Sequence, residues 1–209
     1  MNTSQKFWDK AAKKYAKSPI ADEQAYQKKL QQTQAKFTPD MNILEFGCGT
    51  GSTALIHAPF VEHILAIDIS ENMVQIARQK ADKESITNVT FKRKTLEDLD
   101  ATQHRFDMVL GLNILHLLPN RQDVIKHVVE LLEPGGSFVS SSACLGGTPL
   151  ALIKWVAPLG KALGLMPDVF VFTQQQLVAE LEQAGLVVET QWHHGKNGLG
   201  VFIIATKPD

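Results

Sequence analysis

The chain has 209 residues, of which 44% are hydrophobic and 21% are charged, and its formal net charge is −1 at pH 7. This composition excludes a disordered chain and a short peptide module, and the length suits one globular domain, residues 1–209, with a sizeable core. Because the chain lacks an overall excess of positive charge, nonspecific nucleic-acid binding is disfavoured.

Residues 1–37 are predicted to form a helical arm of two helices divided by the sequence SPI. On the first helix, Phe7, Trp8 and Tyr15 share one face at helical spacing, so this face is expected to pack on something apolar. The lysine-rich N-terminus shows neither the continuous apolar core nor the cleavage site of a secretory signal. We therefore expect a cytoplasmic protein.

From Ile43 onward, short apolar runs alternate with helical patterns, which is typical of strand–helix units on a parallel sheet. Ser70 is a predicted helix N-cap, and Thr173 with Gln176 forms a predicted capping box. The sequence EPGG, at 133–136, is expected to end a helix before the next strand, and GKNG near the C-terminus predicts an antiparallel hairpin. The predicted strands are 43–46, 63–68, 89–92, 106–110, 137–141, 186–192 and 200–206.

The sequence ILEFGCGTGSTA places Gly47, Gly49 and Gly51 directly after the first predicted strand. Glycines between a strand and a helix let a ligand approach the backbone at the carboxyl edge of the sheet. Glu45 would repel a pyrophosphate and suits a cationic group, whereas Asp68 lies where a carboxylate can take both hydroxyls of a ribose. Judged by glycines alone, a nicotinamide-dependent oxidoreductase remains an alternative, because a loose GxGxxA pattern starts at Gly49.

Four motifs, LEFGCGTG, AIDIS, FDMVLGLNILHLL and LLEPGGSF, have an order and spacing that resemble the class I S-adenosylmethionine-dependent methyltransferases. The likeness is greatest to the small-molecule branch that includes ubiquinone/menaquinone-biosynthesis-like enzymes. It implies a Rossmann-like α/β fold with seven strands in the order 3-2-1-4-5-7-6, the last strand antiparallel, and helices on both faces. It also implies S-adenosyl-L-methionine as cofactor, S-adenosyl-L-homocysteine as product, and no metal.

The resemblance assigns roles to the residues that match its motifs. Glu45 would neighbour the methionine ammonium, Asp68 would hold the ribose, and Met73 would lie beside the adenine. Thr95 departs from the pattern, because relatives often have an aspartate at this position. The backbone of Asn113 would contact the methionine ammonium, and this residue leads toward the acceptor pocket. The implied cofactor-binding residues are Glu45, Gly47, Cys48, Gly49, Gly51, Asp68, Ile69, Met73, Leu96, Glu97 and Asn113.

The family's chemistry requires an acceptor held in line with an activated methyl group, and it needs no nucleophilic triad. For a phenol, enol or carbon acid a base must also take a proton, and His116 is the predicted catalytic base because it follows the fourth strand and matches a histidine of many relatives. Tyr15 matches an aromatic position that helps close the pocket, and we include it among the catalytic candidates. A module that binds S-adenosylmethionine without turnover remains a further alternative.

The strongly apolar segment at 148–172, called the cover segment below, follows the fifth strand, where the family carries a variable cover over the acceptor. Side chains such as Trp155, Leu159 and Leu163 predict a hydrophobic acceptor, quinone-like or lipid-like, with permanent packing on the sheet edge as the alternative. Lysines, prolines and glycines argue against a membrane span, and contact with a membrane surface stays open. The sequence GLNIL lacks the Asn/Asp-Pro-Pro-aromatic motif of nucleic-acid amino-methylating enzymes.

Overall fold

The computed structural model describes residues 3–162 and 165–209, and seven strands within these ranges form one sheet. The strands are β1 Asn42–Phe46, β2 His63–Asp68, β3 Val89–Arg93, β4 Phe106–Leu112, β5 Leu132–Ala143, β6 Val187–His194 and β7 Gly200–Thr206. Their order is β3-β2-β1-β4-β5-β7-β6. Strands β1 to β5 pair in parallel, and β7 pairs antiparallel with both β5 and β6. The predicted strand order and the antiparallel last strand are confirmed.

Helices and two buried clusters cover the two faces of the sheet. The helices are α1 Thr3–Tyr15, α2 Glu23–Gln34, α3 Ser52–His57, α4 Glu71–Glu84, α5 Arg121–Leu131, α6 Ile153–Ala162 and α7 Gln174–Gln183. Because strand side chains alternate between faces, Phe138 joins the cluster that α5 and α7 cover, whereas Val139 joins the cluster that α3 and α4 cover. At the centre of the sheet, Leu44 pairs with Leu65 on one side and with Val109 on the other.

The predicted helix caps are present. The hydroxyl of Ser70 accepts a hydrogen bond of 3.2 Å from the backbone amide of Met73 and begins α4. At the start of α7, the Gln176 amide donates to the Thr173 hydroxyl, and the Thr173 amide donates to the Gln176 side chain. Helix α4 continues to Glu84, and Ser85 in the left-handed conformation ends it.

The start of β5 differs from the prediction. The strand begins at Leu132, which pairs with Phe106, and the next pair along the ladder is Met108 with Ser137. The EPGG sequence therefore lies inside the strand as an insertion in the register, and it does not separate the strand from α5. An insertion of this kind leaves residues of one strand unpaired and bends it locally.

The two N-terminal helices pack near the carboxyl edge of the sheet. The carboxylate of Asp9 on α1 accepts hydrogen bonds from the Ser70 hydroxyl at 2.6 Å and from the Asn72 amide at 3.2 Å, which attaches α1 to the start of α4. On α2, the Tyr26 hydroxyl is hydrogen-bonded to the Thr53 hydroxyl at 3.3 Å. The arm thus borders the edge where the glycine turn lies.

The cover segment contains a short 3-10 helix, Pro149–Leu152, followed by α6. Its contacts with the rest of the protein include two hydrogen bonds near the cavity: the Phe170 amide donates to the His116 carbonyl at 2.8 Å, and the Ser4 hydroxyl donates to Asp168 at 3.1 Å. Leu163, predicted as part of the cover, lies outside the described residues. Across 3–162 and 165–209, every helix is too short or too polar to cross a membrane.

Candidate functional site

A cavity of about 480 Å³ lies at the carboxyl edge of β1, β2 and β4. Most of the predicted site residues lie in its wall, although they come from separate motifs of the chain. These are Tyr15, Gly47, Gly49, Asp68, Ile69, Met73, Leu96, Glu97 and Asn113. Other lining residues had no individually predicted role in binding, among them Ser4, Lys94, Leu117, Leu118, Pro119, Lys161 and Asp168.

The glycine turn forms the floor of the cavity. Gly47 and Gly49 line it with positive φ angles of 66° and 54°. A Cβ atom on Gly47 would lie 2.8 Å from Cγ1 of Ile114, which leaves no space for a side chain. Cys48 and Gly51, predicted to bind the cofactor, do not line the cavity. The Gly51 amide instead closes the turn by donating to the Cys48 carbonyl at 3.0 Å.

Glu45 is buried beneath this turn and is not part of the cavity lining. Its side chain is almost fully buried, since the residue is 3% exposed, and its Oε2 atom has no hydrogen-bond partner among the described residues. Burial, with the nearby Asp68 carboxylate as a second cause, raises the pKa of Glu45 to about 8. A buried carboxyl group without a partner is costly, and a cationic ligand beside it would relieve that cost. Glu45 therefore fits a ligand that carries an ammonium group.

Asp68 ends β2 and points its carboxylate into the cavity wall. One oxygen accepts a hydrogen bond of 2.8 Å from the Ser70 amide, and the other accepts one of 2.9 Å from the Gly49 amide. Burial raises the pKa of Asp68, while these backbone hydrogen bonds act in the opposite direction. An ionised carboxylate has about four acceptor positions, so capacity for two hydroxyl groups remains after the two amides.

The part of the cavity beyond Asp68 is mainly apolar. Ile69 and Met73 line it from the start of α4, and Leu96 and Glu97 line it from the 3-10 helix Leu96–Asp98. The Asp98 carboxylate accepts a hydrogen bond of 2.8 Å from the Thr95 amide and so stabilises this turn. Glu97 is thus the acidic residue of this helix that lines the cavity. This wall suits one face and one edge of a planar heterocycle.

Asn113 and two aromatic residues of α1 line the other end. Asn113 directly follows β4 with a φ of 58°, a left-handed conformation that asparagine tolerates, and its amide donates to the Ser141 carbonyl at 2.7 Å. Tyr15 packs edge-to-face on Trp8 and reaches over Gly49. Burial and the Asp68 and Glu45 carboxylates raise the pKa of Tyr15, so its hydroxyl keeps its proton at neutral pH.

His116 does not reach the cavity, contrary to what a catalytic base requires. It lies in the 3-10 helix Leu115–Leu117, where its neighbour Leu117 lines the cavity instead. The Nδ1 atom is buried and has no hydrogen-bond partner among the described residues. Burial lowers the pKa of His116 to about 4, which makes the imidazole neutral and weakly basic at pH 7. The backbone carbonyl of His116 accepts a hydrogen bond from the Phe170 amide of the cover segment, so the residue makes a structural contact.

Among its described residues, the cover segment contributes Lys161, Pro167 and Asp168 to the cavity wall, and none of its large apolar side chains. Lys161 forms an ion pair of 2.8 Å with Asp168, and both line the cavity beside Ser4. Trp155 and Leu159, expected to face an acceptor, are instead exposed. The sequence signal for this arrangement was available, because Asp168 is the only acidic residue of the cover segment.

Comparison with known proteins places this site in a family. The family model described as "Methyltransferase domain" matches residues 37–198. The 27-O-demethylrifamycin SV methyltransferase of Amycolatopsis mediterranei is 30% identical over 71% of this chain and 54% of its own length. The ubiquinone biosynthesis O-methyltransferase of Coxiella burnetii is 27% identical over 48% of this chain and 43% of its own length. The chain therefore spans about half the length of the curated relatives it matches.

A solved structure extends the likeness to the whole fold. The N-methyltransferase NodS of Bradyrhizobium japonicum, in complex with S-adenosyl-L-homocysteine, matches with a TM-score of 0.76, covering 100% of both chains at 16% identity. At this level of identity the comparison supports the fold alone.

Proposed function

This chain belongs to the methyltransferase domain family, and from that premise we propose that it transfers the methyl group of S-adenosylmethionine to a small, hydrophobic organic acceptor. One observation carries the proposal. Beside the cavity floor, Glu45 is buried with an oxygen that lacks a partner among the described residues, whereas Asp68 is fixed by two backbone amides. A ligand with an ammonium at one end and two vicinal hydroxyl groups at its centre satisfies both carboxyl groups.

Residues in the cavity wall, together with Glu45 beneath it, would each contact one part of the cofactor. Glu45 would attract the ammonium through the turn, the Gly47 and Gly49 backbone would contact the amino-acid part, and Asp68 would accept both ribose hydroxyls. Met73 and Leu96 would contact the adenine. The bound cofactor supplies a methyl group that its sulfonium already activates. A dinucleotide fits less well, because its anionic pyrophosphate on the turn would give the buried Glu45 carboxyl group no cationic partner.

The contribution of the protein to the reaction is positional. Tyr15 and Asn113 border the end of the cavity where the methyl group would lie, and they would hold an acceptor in line with it. Orientation of two reactants can lower a barrier by about 7–11 kcal/mol in well-aligned systems. The raised pKa of Tyr15 makes its hydroxyl a hydrogen-bond donor to the acceptor and not a base.

The acceptor class is inferred from the wall and from the names of relatives. Trp8, Leu117 and Leu118 give the cavity an apolar lining, with Ser4 and Asp168 as nearby polar groups. The two relatives named above act, by their names, in ubiquinone biosynthesis and on 27-O-demethylrifamycin SV. We extend to this chain a quinone-like acceptor that bears a hydroxyl group, with a lipid-like acceptor as the second candidate.

The cellular setting forms part of the proposal. Cys48 and Cys144 are both free and buried. Unbridged cysteines of this kind suit a reducing compartment, and we infer that the protein acts in the cytoplasm.

Calorimetric titration with S-adenosylmethionine, S-adenosylhomocysteine and NADH tests the cofactor, and Asp68→Ala is the diagnostic variant. We expect both sulfur compounds to bind, NADH not to bind, and the variant to lose at least about tenfold in affinity, since a hydrogen bond to a charged group contributes about 1.5–3 kcal/mol. Binding of NADH alone would reverse the assignment. Mass spectrometry of phenol, quinol, amine and thiol acceptors incubated with the cofactor then tests transfer. Tight cofactor binding without a methylated product would identify a binding module.

A further inference from the structure

Helix α6 and Leu152, the last residue of the 3-10 helix before it, expose an apolar surface of a kind that helices normally bury. Leu152, Trp155, Val156 and Leu159 follow the spacing i, i+3, i+4 and i+7, and they are 66%, 75%, 59% and 63% exposed. We call these four residues the apolar stripe. Ala157, on another side of the helix, is 5% exposed. Stripes at this spacing usually face a protein core, so the apolar stripe is expected to face a partner outside the described part of the chain.

The cover segment carries a free positive charge beside the apolar stripe, and its described residues include no unpaired carboxylate. Lys154 is exposed, with its ammonium 5.4 Å from the centre of the Trp155 ring. Asp168, the only acidic residue of the cover segment, is already paired with Lys161 and Ser4. The cover segment therefore has one unpaired cation, Lys154, beside an apolar face, and its one carboxylate is already paired.

Helix α1, which lines the same cavity with Ser4, Trp8 and Tyr15, carries further exposed lysines. Ser4, in its first turn, is hydrogen-bonded to Asp168, so α1 and the cover segment are in direct contact. Asp9, the only acidic residue of α1, accepts hydrogen bonds from Ser70 and Asn72 on α4. The exposed lysines of α1 and of the turn after it are Lys6, Lys10, Lys13, Lys14 and Lys17.

We propose that the apolar stripe, with Lys154 beside it and the exposed lysines of α1, docks the protein on the surface of an anionic lipid bilayer. A second copy of the chain suits this face poorly, because Asp9 and Asp168, the acidic residues of α1 and of the cover segment, are already paired and would not neutralise these lysines. Tryptophan and lysine beside exposed leucines are typical of helices that lie in the membrane interface. Each lysine near an anionic surface strengthens binding about fivefold.

The position of this surface gives docking a consequence for the acceptor. Lys161 at the end of α6 and Asp168 after it both line the cavity. A bilayer in contact with the apolar stripe would therefore lie near the cavity, and an apolar acceptor could enter from the lipid phase. This consequence rests on the proposed function, whereas docking itself does not.

Co-sedimentation with phosphatidylcholine vesicles, with and without phosphatidylglycerol, tests the proposal. We expect the full chain to bind the vesicles that contain phosphatidylglycerol and to bind pure phosphatidylcholine at least tenfold more weakly. The double variant Trp155→Ser/Leu159→Ser should reduce binding to the anionic vesicles at least tenfold. Phe60→Ser is the matched control, because Phe60 is an exposed aromatic residue just before β2, at the opposite edge of the sheet. It should bind like the original chain.

A second pair of variants tests the charge. The double variant Lys10→Glu/Lys13→Glu should weaken binding to anionic vesicles at least about fivefold, which is the effect expected from losing one lysine. The control variant Lys83→Glu, at an exposed position near the end of α4, should bind like the original chain. Unchanged binding by the Trp155/Leu159 or Lys10/Lys13 variants would overturn the proposal. A dimer in analytical ultracentrifugation that Trp155→Ser dissociates, without vesicle binding, would assign the surface to a second copy.

Titration with S-adenosylhomocysteine separates this proposal from the proposed function. The stripe variants should keep the cofactor affinity of the original chain, because none of the four residues lines the cavity. Vesicle binding without cofactor binding would refute the function and leave the docking surface standing. Cofactor binding without vesicle binding would refute the docking surface and leave the proposed function standing.

Discussion

Cofactor binding should release a proton from Glu45. The pKa of this carboxyl group is about 8 in the unliganded protein, so it is about 90% protonated at pH 7. Ionising it inside the folded protein costs about 5 kcal/mol more than in water, which is the shift from 4.5 to about 8 expressed as free energy. An ammonium placed beside it would reverse most of this shift, and the proton would leave as the ligand binds.

The release can be measured by titrating S-adenosylhomocysteine at pH 7 in phosphate and in Tris, two buffers with different ionisation enthalpies. The difference in observed heat should correspond to about 0.9 proton released per ligand bound, because the ligand's own amine is already mostly protonated at this pH. Affinity should rise up to about tenfold per pH unit between pH 6 and 7 and level off near pH 8.

Two variants decide whether Glu45 is the source. Glu45→Gln should abolish most of the proton release and weaken binding about tenfold or more, since it removes a charge-assisted interaction. Glu62→Gln, at an exposed position, should change neither quantity. Equal proton release from the Glu45→Gln variant and the original chain would refute the reasoning, because the ammonium would then not be sensed by this carboxyl group.

Three further substitutions test a glycine of the turn, a buried histidine and the predicted catalytic base. Gly51→Ala should lower the free energy of unfolding in urea by about 3 kcal/mol, because its Cβ would lie 2.7 Å from Ala77. The control variant Gly185→Ala should lower the free energy of unfolding by about 1–2 kcal/mol, because Gly185 has a positive φ but open space around it. Burial lowers the pKa of His57 from 6.5 to about 4. The original chain should therefore lose about 2 kcal/mol of stability between pH 7 and pH 5, whereas the His57→Leu variant should not show this loss. Parallel profiles of stability against pH for the two proteins would contradict this. His116→Leu should retain turnover within about tenfold, whereas loss of a true general base costs about 10²–10⁴-fold.

The parts of the fold that could be predicted from the sequence depend on local periodicity. The alternation of strands and helices, the Ser70 cap and the Thr173 capping box each need only neighbouring residues to form. The strand order followed from the four motifs and not from periodicity, which cannot order strands. The position of Asp68 in the cavity wall could be predicted, because its place at the end of a strand and its spacing from Gly49 are both visible in the sequence.

Features set by orientation could not be predicted in this way. Within Leu115–Leu117, a rotation of one residue decides whether His116 or Leu117 lines the cavity, and sequence likeness favoured the histidine. The spacing of Trp155 and Leu159 is the same whether a helix face is buried or exposed, so an apolar cover over the acceptor was a reasonable prediction. The register insertion in β5 depends on the pairing of Leu132 with Phe106, which is distant in the chain.

The same carboxyl group connects stability with function. Because the pKa of Glu45 is higher in the folded protein than its usual 4.5, the stability it contributes is complete below pH 4.5 and is lost as pH rises through about 8. The folded, unliganded protein is therefore least stable at the pH values where Glu45 is ionised. At these pH values an ammonium-bearing ligand removes the largest destabilisation. Stabilisation by S-adenosylhomocysteine in a thermal melt should therefore be greater at pH 8 than at pH 6. In Glu45→Gln the stabilisation should be equal at the two values, because the amide does not ionise.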